Sequence, residues 1–163
     1  MPVNGQETVA KNIVFFGEKF LKHVNVQMEK IRIVLDDKVV KNMSLTDHSL
    51  KDMAQMGHPY ARRNPMTIHD PKWAVHTQSG KLIESKESGT TEASVLGGEL
   101  KASAFVGLNA YVAPHADDVI FGTSRMVPRD FLTGSLNQVK KEASDILREN
   151  LRDIVFNFKG VSQ

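Results

Sequence analysis

The 163-residue chain has no cysteine, which excludes disulfides and thiolate-ligated zinc and is compatible with assembly in a cytosol. Long apolar runs are missing too. None approaches the roughly 20 residues that a membrane-spanning helix requires. Ile13-Val14-Phe15-Phe16 is broken at once by Gly17, Glu18 and Lys19, unlike a secretory signal. A soluble chain without membrane partners is expected. Charge of one sign is scarce: 21 Lys and Arg stand against 19 Asp and Glu, so bulk electrostatics do not point to nucleic acid. Internal repeats and low-complexity segments are lacking. What is present is ordinary for a globular chain, with 40% hydrophobic and 25% charged residues, so wholesale disorder is excluded. The length fits one domain over residues 1–163 that buries roughly two-thirds of its unfolded surface.

From Glu7 to Asn42 the chain holds no proline, and Ile13, Phe16, Phe20, Val24, Met28, Ile31, Leu35 and Val39 recur at steps of three and four. That spacing puts them on one stripe of a helix about 50 Å long. The alternative is a helix broken near Gly17 or near Val24-Asn25-Val26. A small core cannot cover so long a stripe, so part of it is expected to pack on another subunit. Ser44 to Gly57 reads as a short helix capped by Thr46 or Asp47. His58 to Val75, with Pro59, Pro65 and Pro71, reads as a long loop that orders on a neighbour. Together, residues 44–76 or so form a loop-rich insertion.

A further short helix is expected over Ser79–Glu87. Two extended runs, Thr91–Leu96 and Leu100–Leu108, flank Gly97-Gly98 and predict a β-hairpin. A third strand is expected through Ala110–Ala113, with Val119-Ile120-Phe121 in or beside the sheet. The last helix should run from about Arg129 to Phe158, with Leu132, Leu136, Val139, Ala143, Ile146, Asn150 and Ile154 on its apolar face and Gly160 as its stop. Pro128 suits the position before its first turn. The plan is α+β: long N-terminal helix, irregular middle with short helices, small antiparallel sheet, long C-terminal helix.

Candidate chemistry is thin. His58, His69, His76 and His115 lie near Asp70, Asp117 and Asp118, but no pair has the close helical spacing of a dedicated metal site. His115-Ala116-Asp117-Asp118 reads as a solvated turn before a strand rather than a cation site. Gly80-Lys81 lacks the earlier glycine and the following Ser or Thr of a phosphate loop. No Gly-x-Ser-x-Gly elbow is present. No enzymatic activity, metal or cofactor is expected. Arg62 and Arg63, with Lys72 and Trp73, read first as a subunit contact and second as a phosphate- or base-binding patch. Met43, Met53, Met56 and Met66 suit an adaptable surface or ordinary core.

The most informative stretch is Asp118–Leu132, where an apolar run enters a glycine turn and Pro128-Arg129-Asp130-Phe131-Leu132 opens the last helix. Phe121-Gly122-Thr123 followed by this step resembles a corner in head–tail joining (neck) proteins of long-tailed bacteriophages. Thr77-Gln78-Ser79-Gly80-Lys81-Leu82 loosely matches that family's upstream Asp-Thr-Gly-x-Leu step. The resemblance covers the chain from Thr77 onward. It departs where the upstream Asp is absent and where Asp130 stands for the second proline of Arg-Pro-Phe-Leu. It implies structural roles only. Gly122 would permit the turn after Phe121, ahead of Thr123. Arg129 would anchor the last helix after Pro128, and Phe131 with Leu132 would plug it onto the sheet. Gly80 and Leu82 would hold the upstream turn. It also implies a virion protein, assembled in the bacterial cytoplasm into a homo-oligomeric ring of hexameric or dodecameric type. The ring would meet other neck, connector and tail proteins around the DNA channel, with at most non-specific DNA contact. A tail terminator is the near alternative; a small nucleic-acid-binding protein is the alternative of another class.

Overall fold

A computed structural model describes residues 4–46, 48–55, 60 and 73–157. The elements are α1 (Asn4–Met43), α2 (Leu50–Gln55), α3 (Lys81–Glu84), β1 (Lys86–Leu96), β2 (Glu99–Leu108), α4 (Ala116–Phe121) and α5 (Phe131–Asn157). The fold is α+β. The two strands pair antiparallel, and α1 packs along both strands and along α5.

Helix α1 is unbroken through Gly17, at about 60 Å for its 40 residues. Its stripe is buried only toward the C-terminus, at Val24, Leu35, Val39 and Met43. Toward the N-terminus, Val9, Ile13 and Val14 are 58%, 65% and 60% exposed. The helix therefore outruns its own core. Side chains along it latch the hairpin in antiparallel sense: Asp36 pairs with Lys86, Arg32 Nη1 donates to Ser88 Oγ at 2.9 Å, and Asn25 Oδ1 accepts the Ala93 N–H at 2.6 Å. The last bond has a clear cause. The register slips between Thr91 and Ser94, a bulge that leaves an N–H without a ladder partner, and Asn25 supplies one. Burial alone would raise the Asp36 pKa; hydrogen bonds from Lys86 and Ser88 and the charges of Lys86 and Arg32 outweigh it and hold it below the ordinary range.

The hairpin turns through Gly97 and Gly98, both at positive φ (61° and 81°), the geometry of the tight turn that matches strand twist. At Gly89 a Cβ would sit 2.9 Å from the Phe105 ring, which covers the glycine from the opposite strand.

Several expectations need correction. Helix α2 starts at Leu50 and is capped by Ser49, whose Oγ accepts the Asp52 N–H at 3.1 Å while the Asp52 carboxylate accepts from Ser49. Thr46 is not that cap, and Asp47 and Gly57 lie outside the described residues. Helix α3 is shorter than expected, because Lys86 and Glu87 already pair with β2. No third strand forms through Ala110–Ala113. Asn109 instead closes a turn, its carbonyl accepting from Val112 and Ala113 and its Oδ1 accepting from Tyr111 N at 2.9 Å. Val119-Ile120-Phe121 is helical, not sheet. Ala113, Ala116 and Ile120, at steps of three and four, bury one face, and Asp117 and Asp118 favour a helix N-terminus. That packing overrides the β preference of the apolar run.

Helix α5 begins at Phe131 rather than Arg129, since Asp130 caps it; Arg129 N–H donates to Val119 O at 2.8 Å. Its buried face is Phe131, Ser135 and Val139, not the Leu132–Leu136 line; Leu136 is 53% exposed. Ser135 escapes an apolar count, yet its Oγ donates to Phe131 O at 2.6 Å and accepts from buried Asn42 Nδ2 at 2.8 Å, joining α5 to α1. The expected end at Phe158 and stop at Gly160 fall outside the described residues. The core gathers Leu35, Val39, Met43, Tyr60, Val75, Ile120, Met126, Phe131 and Val139.

Candidate functional site

The two stretches singled out in the sequence meet across one cleft of about 520 Å³, in the range of ligand and side-chain sites. One wall runs from Val75 through Gly80 to Ile83; the other is Asp118 and Val119 of α4 with Thr123, Arg125 and Met126. A single parallel bridge, Leu45 with His76, sets the first wall: Leu45 N donates to Val75 O at 3.1 Å and Thr77 N to Leu45 O at 2.9 Å.

Met43, Tyr60, Val75 and Met126 make a buried apolar floor. Tyr60 and His76 form its polar element. The Tyr60 hydroxyl accepts the His76 backbone N–H at 2.9 Å, which leaves its own proton to reach His76 Nδ1, also 2.9 Å away. Tyr60 is held from the other side as well: its carbonyl accepts Val127 N–H at 2.8 Å, and the Arg129 guanidinium lies 4.5 Å above its ring. The rim is exposed and carries Lys81 and Arg125 with His115, against Asp118.

Gly122 makes the second wall possible. Its backbone (φ 72°, ψ 177°) is in a region essentially reserved for glycine. A Cβ there would lie 2.7 Å from Met126 O and 2.8 Å from Pro128 N. Thr123 then ties the turn, its N–H donating to Met126 O at 3.0 Å and its Oγ1 accepting from Met126 N at 3.1 Å.

The other nominated residues are dispersed. Gly80, at φ 77°, heads α3, and Leu82 packs half-buried on the core. Phe121 is 73% exposed. Pro128 is at the surface; Arg129 and Phe131 are buried at 1% and 0% exposure, and Leu132 borders the core. Phe131 thus sits within the core between the helices, with the sheet's Val106 and Leu108 at its margin. Trp73 lies against α5 at Gly134, where a Cβ would come within 2.2 Å of Trp73 Cβ. Arg62 and Arg63, like His58, His69 and Asp70, lie outside the described residues. Among the described residues no group of three His, Asp or Glu converges on a point that could hold a metal ion. His115 is on the cleft rim and Asp117 on the opposite side of α4.

Sequence reasoning missed three contributors. Asp130, read as a departure from a proline, is the N-cap of α5: its Oδ1 accepts Thr133 N–H at 2.9 Å and its carbonyl accepts Gly134 N–H at 3.0 Å. Asp-x-x-Thr before an apolar run carried that signal. Gly134, inside a helix, signalled a close approach. Tyr60 carried no local signal at all.

The cleft offers an apolar floor and a cationic rim, suited to holding an apolar side chain with a carboxylate beside it. Comparison with family models, curated proteins and solved structures found no match to this chain.

Proposed function

We propose that this chain is a virion structural protein of a tailed bacteriophage. It acts as a homo-oligomeric ring at the head–tail junction, joining the tail around the DNA channel. The supporting observation is that the two stretches resembling neck proteins, Thr77–Leu82 and Phe121–Leu132, are distant in sequence yet wall the same cleft or its supporting core. The corner serves geometry: Gly122 permits the turn, Arg129 and Tyr60 brace it, and Phe131 roots α5. The exposed N-terminal stripe of α1 gives a second surface that an assembly would cover. The action is mechanical, through subunit contacts, and uses no catalytic group. The tail terminator remains the near alternative, since both roles call for a ring. The nucleic-acid alternative keeps one supporting feature, Trp73, which rests its Cβ against α5 while the residue is 44% exposed.

The test is complementation in vitro. Purified protein added to a phage lysate lacking this chain should raise the plaque count toward the normal level. A count unchanged at saturating protein argues against a late joining role.

A further inference from the structure

Helix α4 has two unlike flanks. Asp118 and Val119 face the cleft with the cationic rim. Asp117 and Phe121, one helical turn apart, face the other way, onto a shallow hollow of about 300 Å³ that also takes in Asp130. Beside that hollow the Asn109 turn projects Tyr111, which is 99% exposed, and Val112. Phe121 is 73% exposed. One flank is thus an apolar socket edged by Lys81 and Arg125, and the other an apolar projection edged by Asp117 and Asp130. The exposed Tyr111 and Phe121 match the apolar floor of the cleft, the charges at the two edges are opposite, and α4 lies between them, so they cannot meet within one molecule.

We propose that the Tyr111–Phe121 flank of one copy seats in the Lys81–Arg125 cleft of a second copy of this chain. Tyr111 is the ring that enters the apolar cleft. Asp117 and Asp130 approach Lys81 and Arg125 at the rim, where opposite charges fix register. Such a contact is heterologous: one copy keeps its socket unused and the other its projection, so the contact propagates and closes into a ring when the rotation per copy allows. The inference specifies the contact of the ring proposed above and rests on that reading only for closure.

Sedimentation velocity on the purified full chain tests it. Wild type should show concentration-dependent assemblies larger than a dimer. Tyr111→Ala, which removes only exposed surface, and Arg125→Glu should each weaken association about tenfold or more. Mixing these two variants should give a species that stops at the dimer, because a single intact projection and a single intact socket remain between them. Asp117→Lys combined with Arg125→Glu in one chain should recover part of the association lost by Arg125→Glu. Assemblies undiminished by both single variants would overturn this contact while leaving the neck reading in place. A wild type that stays monomeric throughout would overturn the contact too. Failed complementation beside intact, variant-sensitive assembly would overturn the neck reading instead.

Discussion

Replacing Gly122 with alanine perturbs the corner at one atom. At φ 72° and ψ 177° the backbone is in a region closed to residues with a Cβ, which costs about 1–3 kcal/mol by itself. The added Cβ would also stand 2.7 Å from Met126 O and 2.8 Å from Pro128 N. Both are backbone atoms of a turn already tied by Thr123, so neither can swing aside as a side chain would. Overpacking of that kind adds a further cost of about 1–3 kcal/mol. Together they put Gly122→Ala at about 2–6 kcal/mol of lost stability, or about 4–24 °C in melting midpoint for a chain of this size. The assay is urea unfolding followed by far-ultraviolet circular dichroism, with the thermal midpoint as a second readout. Gly17→Ala is the control. Gly17 is in mid-helix with nothing within 4 Å of its Cβ position, so alanine there should stabilise by about 0.5–1 kcal/mol. A Gly122→Ala protein within about 0.5 kcal/mol of wild type, the range of an ordinary surface substitution, would refute the turn geometry.

Phe131→Ala should cost about 3–5 kcal/mol in the same unfolding assay, because the side chain is fully buried at the centre of the core. Asp130→Ala removes the α5 cap and should cost about 1 kcal/mol, with Asp130→Ser restoring most of it. Asp36 has its folded pKa held below its ordinary value of 3.8, so its stabilising effect is present above that value and lost as pH falls through the lowered one. Asp36→Asn should therefore be less stable than wild type near neutrality, with the gap closing in acid; a gap that is constant with pH contradicts the pairing with Lys86. Gly134→Ala should displace Trp73, the sole tryptophan. The clash should cost about 1–3 kcal/mol in the same unfolding assay, and an unchanged midpoint would contradict the packing.

Long periodic segments were legible in the sequence. The stripe of α1 and the Gly-Gly hairpin carry their structure in local spacing; the turn falls at Gly97-Gly98 as expected, while β1 starts at Lys86, five residues before Thr91. Val119-Ile120-Phe121 misled because β-branched apolar residues score as strand, whereas burial of Ala113, Ala116 and Ile120 on one face makes the segment helical. The face of α5 was displaced because Ser135 and Asn42 bury a polar pair that an apolar count cannot register. The cleft was half legible. Its two walls carried sequence signals, but its floor depends on Tyr60 and Met43, which arrive from elsewhere in the chain. Asp130, which stands where the resemblance has a proline, is a structural residue in its own right, the cap of α5.

The proposed joining role is tested by electron microscopy of a lysate made without this chain. DNA-filled heads beside tails of normal length, unattached to one another, are the expected outcome. Overlong tails would move the protein to the tail terminator, and intact infectious particles would contradict the structural role altogether.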